Sequence, residues 1–250
     1  MNTDTPAAVK VVFIAGTGRS GSTVLSSILG QVPGCFAAGE VRYVWERGLL
    51  EDHRCGCGEP FSRCPVWKAV MEEAFRGRPA PDAAATASRL DSRLRVRRVP
   101  GMVWRRMHGR PALKPHPDDL IIMRLYEALA AREGVQMVVD SSKLPPYGML
   151  LSSLPGLELY IVHIARDPRA TAFSWRRKKT TQDTAAGSTM PRLETWRSAI
   201  LWLLWNLLID AWWPRSSPRR LLVRYEDLIR DPTTAVGRVL HMIGAELPRT

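Results

Sequence analysis

Short unbroken apolar runs alternate along this chain with longer stretches where apolar residues recur every third or fourth position. Residues 10–15 (KVVFIA) are apolar and β-branched, are followed by Gly16 and Gly18, and predict a buried strand. Residues 22–31 (STVLSSILGQ) place Val24, Leu25, Ile28 and Leu29 on one helical face. A short strand is expected just before Glu40, with further strands at 135–139, 158–164 and 221–225. Helical periodicity marks 119–132, 170–178, 193–213 and 233–243. This alternation predicts an α/β fold: a phosphate-loop-like parallel sheet of about four to five strands, flanked by helices on both faces.

The longest apolar run, AILWLLWNLLIDAWW (199–213), contains Asn206 and Asp210 and falls short of the ~18–20 residues a spanning helix needs. It predicts a buried or interface-facing helix. Residues 76–117 break the rhythm. They are rich in Pro, Ala and Arg, with eight arginines from Arg89 to Arg110, and predict an Arg-rich helical insert or lid within a single domain spanning 1–250.

Composition adds little to the fold and something to the chemistry. Hydrophobic residues at 45% and charged residues at 24% match globular usage and exclude disordered and fibrous classes. The net charge is +12, carried by 30 arginines against 6 lysines. Arginine forks match phosphate and sulfate oxygens. A GC-rich genome gives the same skew, so charge alone leaves an anionic partner open. The start, MNTDTPAAVK, lacks a basic region followed by an apolar stretch, so no signal peptide is expected. Four cysteines, three of them crowded into CGCGEPFSRC, do not resemble a secreted disulfide scaffold. The expected location is cytoplasmic.

The strand at 10–15 runs into GTGRSGST and then a helix. Gly16 and Gly21 stand at the spacing of the G-x-x-x-x-G-K-[ST] phosphate loop, with Ser22 where the lysine belongs and Thr23 last. Glycines let the backbone wrap an anion, and the following helix offers free N–H groups and its positive dipole end. Ser20, Ser22 and Thr23 add hydroxyls, and Arg19 adds a fork. An NTPase wants the missing lysine and a carboxylate on Mg²⁺. Asp140, ending QMVVD, can pass for that carboxylate, so a divergent kinase or NTPase stays open.

A second anion cluster follows the strand at 158–164. In IVHIARDPRATAFSWRRK, Arg166 ends the strand and Ser174 lies eight residues later on the next helix, so the two can close on one phosphate. Taken alone, Arg166 pairing with Asp167 or Glu226 as a surface link explains the segment equally well.

Together, GTGRSGST, RDPRATAFS and RYEDLIRDP (224–232) resemble the sulfotransferases that use 3′-phosphoadenosine 5′-phosphosulfate (PAPS). The resemblance implies that Gly18, Arg19, Ser20, Gly21, Ser22 and Thr23 hold the 5′-phosphosulfate. It implies that Arg166 and Ser174 hold the 3′-phosphate. The chain looks closer to the tyrosylprotein and bacterial carbohydrate or small-molecule branches than to the cytosolic aryl and steroid enzymes. DSSKLPP lacks their histidine base, whereas AAGEVRYVW matches the tyrosylprotein pattern, with Glu40 as base and Arg42 two residues on. Lys143 matches that branch's lysine on the transferring group. Family members usually continue beyond GAELPRT with a segment that closes over the 3′-phosphate, so a truncated C-terminus is expected.

The chemistry so implied is an in-line transfer to a hydroxyl on a carbohydrate, lipid or small molecule, with no metal required. Arg19 and Lys143 neutralise charge, Glu40 takes the proton, and Arg42 orients Glu40 or the acceptor. Asp140 is a second candidate base or a residue bonded to the phosphate loop, and His163 reads as a packed core histidine. No nucleic-acid partner is assigned, a peripheral membrane contact stays open, and the oligomeric state is not legible. A non-catalytic polyanion binder remains the other-class alternative. Cys55, Cys57 and Cys64, with His53, spell H-x-C-x-C-x6-C. Zinc accepts those ligand types, but the usual C-x2-C pairing is absent, and a turn with reduced thiols is the preferred reading.

Overall fold

The computed structural model describes residues 8–178 and 191–245. Most of the start MNTDTPAAVK and of the GAELPRT end lies outside the described residues. In chain order the first half runs β1 (Val9–Gly16), α1 (Ser22–Leu29), β2 (Cys35–Gly39), α2 (Pro65–Ala74), α3 (Ala83–Leu94), α4 (Val99–Met107) and α5 (Asp118–Ala130). There follow β3 (Met137–Lys143), α6 (Pro145–Leu151), β4 (Leu157–Ala165), α7 (Pro168–Arg176), α8 (Thr195–Trp212), β5 (Arg220–Arg224), α9 (Tyr225–Arg230) and α10 (Pro232–Ile243). A π-helical turn, Val44–Leu50, bridges β2 and α2.

The five strands form one sheet in the order β2-β3-β1-β4-β5, and every neighbouring pair is parallel. The apolar β-branched runs dictate this, because a strand buried on both faces needs apolar residues at every position. In β1, Val11, Phe13 and Ala15 face one core layer while Val12 and Ile14 face the other. The first layer gathers α2 to α6 and α8, and the second gathers α1 and α10. The chain leaves β1 toward β2 and β3 on one side and later returns to β4 on the other. The carboxyl end of β1 is therefore the switch point where ligands bind in open α/β sheets.

The Arg-rich segment is built into the larger layer. Leu90 and Leu94 of α3 and Val99 and Met102 of α4 are buried there. Several arginines tie it down. Arg89 Nε meets Asp118 at 2.7 Å, and Arg93 Nη1 meets Asp119 at 2.6 Å, both in the first turn of α5. Arg106 donates to the Trp212 carbonyl at 3.1 Å.

Helix α8 is apolar almost all round. Trp205, Leu208, Ile209 and Trp212 are buried, while Trp196, Ile200, Leu203 and Leu207 form an exposed stripe on another face. Among the described residues no helix is long and apolar enough to cross a membrane.

Candidate active site

The phosphate loop turns tightly between β1 and α1, and its glycines are held to that shape by neighbours. Gly21 has φ +93°, and a Cβ there would lie 2.2 Å from the Tyr225 ring. A Cβ on Gly18 would lie 2.5 Å from the Trp175 ring. The Ser20 hydroxyl is buried and donates to the Thr17 carbonyl at 2.7 Å, so this side chain shapes the loop from inside. Ser22 is buried at the start of α1 and Thr23 is exposed. Among the described residues no side chain caps α1, which leaves its first-turn N–H groups to an outside acceptor.

Arg19 lies in the left-handed region at φ +69°. Its guanidinium is 5.0 Å from the Trp175 ring centre, and partial burial lowers its proton affinity from the ordinary value. Lys143, at the end of β3, is also left-handed, at φ +65°. Such a backbone costs a non-glycine residue about 1–2 kcal/mol and persists where surrounding structure imposes it. Two of the candidate cations thus occupy strained positions, one at the carboxyl end of β3 and one in the loop after β1.

Strand register brings the second group of residues alongside. Lys143 pairs with Ala15 on β1, next to the phosphate loop, and Gly39 pairs with Asp140. Glu40 therefore emerges beside Lys143, and the Lys143 ammonium donates to Glu40 Oε1 and, at 3.0 Å, to the Ser141 carbonyl. Both partners of this ion pair are partly exposed.

Arg42 goes elsewhere. Its Nη2 donates to Asp91 Oδ1 of α3 at 2.9 Å, and its guanidinium lies over Tyr43. Residues two apart do not share a face of a helical turn, so Arg42 leaves Glu40. Arg47 takes the place expected of it, with Nη1 3.4 Å from Glu40 Oε2. The signal was its spacing: seven residues is two helical turns.

Arg166 just beyond β4 reaches across to the loop, where its Nη1 donates to the Arg19 carbonyl at 3.1 Å. Its guanidinium lies 4.4 Å from the Tyr225 ring centre, and its Nε is buried without a hydrogen-bond partner. The alternative surface link to Asp167 or Glu226 does not form, since among the described residues Arg166 has no carboxylate in ion-pair range. Asp167 pairs instead with Arg169 at 3.0 Å, which with backbone N–H bonds lowers its carboxyl to about 2. Glu226 accepts the Asp167 N–H at 2.9 Å. Ser174 is half-buried on α7, one residue before the Trp175 platform. Neither Trp175 nor Tyr225 was identifiable as a support from sequence, because their roles depend on contacts across the fold.

Asp140 is fully buried and does not bond to the phosphate loop. It accepts from Tyr126 OH, from the Ser142 N–H at 2.7 Å and from Ser142 Oγ at 2.5 Å, as well as from the Val41 N–H. Ser142 Oγ in turn accepts the Arg42 N–H at 3.0 Å. Asp140 thus holds the turn that carries Glu40, while burial raises its own carboxyl to about 6. His163 is buried in β4, bonded to Asn206 at 2.7 Å and to Arg220 at 3.0 Å, and burial lowers its proton affinity. It faces a polar cluster completed by Asp210.

The carboxyl ends of β2, β3, β1 and β4 therefore present, in that order, Glu40, Lys143, the phosphate loop and Arg166. Together they form a cradle of cations and free helix N–H groups, with a carboxylate–ammonium pair on one flank. Residues 11–249 match the model of a family described as the sulfotransferase family. The chain is similar to the sulfotransferase domain from the Synechococcus PCC 7002 olefin synthase, at 18% identity and a TM-score of 0.51, over 99% of this chain and 77% of that one. Similarity to the sulfotransferase domain from the curacin biosynthetic pathway is 20% with a TM-score of 0.52, over 97% and 76% of the two chains. For sulfotransferase STF9 from Mycobacterium avium the values are 15% and 0.50, over 96% and 65%. At these identities the likeness is one of fold. No curated protein matches the chain.

Proposed function

The chain belongs to the sulfotransferase family, and from that premise we propose that it moves the sulfuryl group of PAPS to a hydroxyl on a carbohydrate, lipid or other small-molecule acceptor. One observation carries the donor assignment. The bond from Arg166 Nη1 to the Arg19 carbonyl joins the two anion motifs into one surface, as a nucleotide phosphorylated at both 3′ and 5′ positions demands. The residues also suit such a ligand, because the buried Arg166 Nε and the uncapped first turn of α1 both want an anionic acceptor.

In this reading the donor supplies the sulfuryl group, and the chain's residues do the rest. Gly18 to Thr23 enclose the 5′ end through backbone N–H groups, with Ser20 shaping the loop. Arg166 and Ser174 hold the 3′-phosphate. The acceptor oxygen bonds to sulfur as the bond from sulfur to the leaving phosphate breaks, and the acceptor's proton passes to Glu40. Arg19 and Lys143 neutralise charge on the sulfuryl oxygens and the leaving group. Lys143 holds Glu40 in the chain as described; a sulfuryl group within its reach gives the ammonium a second anionic partner and frees a Glu40 oxygen. Arg47 then keeps the carboxylate aimed, and Asp140 fixes the turn beneath it.

The acceptor approaches from the Glu40 flank in this proposal. There Asp91 of α3 holds Arg42, and the 76–117 segment serves as an acceptor-side lid on a single 1–250 domain. A cleft of about 770 Å³ in that segment is lined by Arg97, Arg98, Trp104, Lys114 and His116. A cytoplasmic location completes the proposal. Thermal unfolding with three ligands tests the class. Adenosine 3′,5′-bisphosphate at about 100 times its Kd should stabilise the chain by roughly 2.7 kcal/mol. Stabilisation by ATP with Mg²⁺ alone would instead indicate a kinase or NTPase. Stabilisation by a random oligonucleotide alone would indicate a polyanion binder.

A further inference from the structure

Outside the cradle, three of the four cysteines meet at one point. Cys55 and Cys57 lie on a tight turn, closed by the Gly58 N–H to the Cys55 carbonyl at 2.9 Å and the Cys55 N–H to the Glu59 carbonyl at 2.8 Å. Cys64 occupies the position just before α2, where its side chain makes no capping hydrogen bond. The Cys57 and Cys64 sulfurs are 3.6 Å apart, and all three sulfurs lie within 4.8 Å of one another. Three thiolates around one Zn²⁺ at about 2.3 Å each sit roughly 3.8 Å from one another, so the sulfurs need to shift by about 1 Å or less.

Other features of the turn suit thiolates. The Cys57 N–H is directed at the Cys55 sulfur and the Glu59 N–H at the Cys57 sulfur. The Cys64 sulfur stands at a helix N-terminus, where negative charge is favoured. Arg54, bonded to the Gly58 carbonyl at 3.2 Å, supplies a cation against the net negative charge of a three-thiolate zinc site. Burial is graded: Cys64 is buried, Cys55 half-buried and Cys57 exposed, so an ion has a way in. Contrary to the sequence motif, His53 is turned to Glu51 at 3.0 Å, and among the described residues no fourth histidine, cysteine or carboxylate joins the cluster.

We propose that Cys55, Cys57 and Cys64 bind one Zn²⁺ as three thiolates, with the fourth position open to water, and so clip the 53–64 loop to the start of α2. On binding, each thiol gives its proton to solvent, and the three sulfurs displace five of the six waters of the hydrated ion as it becomes four-coordinate; no electrons move. The clipped loop buttresses the π-helical turn of Arg47, since the His53 N–H donates to the Arg47 carbonyl at 2.8 Å and a Cβ on Gly48 would meet the Phe61 ring at 2.8 Å.

The test uses the full chain, purified with a phosphine reductant, loaded with zinc sulfate and dialysed against metal-free buffer. Elemental analysis should find one zinc per chain. Cys57→Ser, at an exposed position, should weaken zinc binding by more than about 100-fold, beyond the loss of an outer-shell contact. Cys35→Ser, on β2, should leave zinc content unchanged. Substituting Co²⁺ in the unmutated chain should give sulfur-to-cobalt charge transfer in the near ultraviolet and the strong visible bands of tetrahedral cobalt, whatever the variants' folding. Zinc content no higher than that of Cys57→Ser, an octahedral cobalt spectrum, or a Cys57–Cys64 disulfide in peptide maps of chain purified without reductant and holding no zinc would each overturn the proposal.

Discussion

Asp140→Asn should abolish a pH dependence that the wild-type chain carries in its core. The carboxyl is fully buried and raised to about 6, with loss of hydration as the main cause, against the opposing pull of hydrogen bonds from Ser142, Tyr126 and Val41. In the unfolded chain an aspartate titrates near about 3.9. Between those two values the folded chain still holds a proton that the unfolded chain has released. Raising the pH across that window therefore removes stability, by roughly 3 kcal/mol in total. Below about pH 4 none of this cost is present, and above about 6 all of it is. Asparagine has no proton to lose and nearly the same shape, so the stability of Asp140→Asn relative to wild type should rise by roughly 3 kcal/mol from pH 4 to pH 7. For a chain of this size that is a change of about 6–12 °C in the Tm difference. Urea unfolding followed by tryptophan fluorescence at four pH values measures it, and taking the difference cancels every titration the two chains share. A difference that stays constant with pH would refute the reasoning. A difference that moves the other way would show that hydrogen bonds outweigh burial at this carboxylate.

Glu40→Gln should preserve donor binding while turnover of any accepted acceptor falls by about 100-fold or more, since the amide keeps the shape and loses the basicity. Near-normal turnover in that variant, combined with an Asp140→Asn chain that binds donor without turning over, would move the base to Asp140. Replacing Arg95, Arg97 and Arg98 together by Ser should leave bisphosphate affinity within about twofold, because none belongs to the cradle and single exposed charges contribute less than about 1 kcal/mol. A large loss in a calorimetric titration would place the segment at the donor.

The sheet was legible because strands buried on both faces leave unbroken β-branched runs, and the runs in β1, β3, β4 and β5 stand out against their surroundings. The phosphate loop was legible for a related reason: its glycines answer local demands of turn and approach. Helix α6 was not, because it is only seven residues long and starts on Pro145 and Pro146, which give no helical periodicity although proline is favoured in the first turn of a helix. The helical character of the 76–117 insert was legible, but the bounds of α3 and α4 were not, because arginine there obscures the apolar periodicity; only packing reveals that Leu90, Leu94 and Met102 reach the core. At the site, the sequence placed Glu40 and Lys143 in separate motifs, and strand register brings them together. It pointed to Arg42 and not to Arg47, because a short motif carries no information on which way a turn aims its side chains. Trp175 and Tyr225 had no local signature, since each matters through a glycine more than 150 residues distant in sequence. Likewise the cysteine spacing concealed a convergence that depends on where α2 begins.

Paired calorimetric titrations show whether one nucleotide is gripped at both of its phosphates. Adenosine 3′,5′-bisphosphate should bind wild-type chain about 10- to 150-fold more tightly than adenosine 5′-phosphate, the worth of roughly 1.5–3 kcal/mol for a charge-assisted grip on the 3′-phosphate. Arg166→Ala should erase most of that preference, and Ser174→Ala part of it, with adenosine 5′-phosphate affinity little changed in either. Equal affinity of the wild-type chain for the two nucleotides, or equal losses for both on replacing Arg166, would contradict the account.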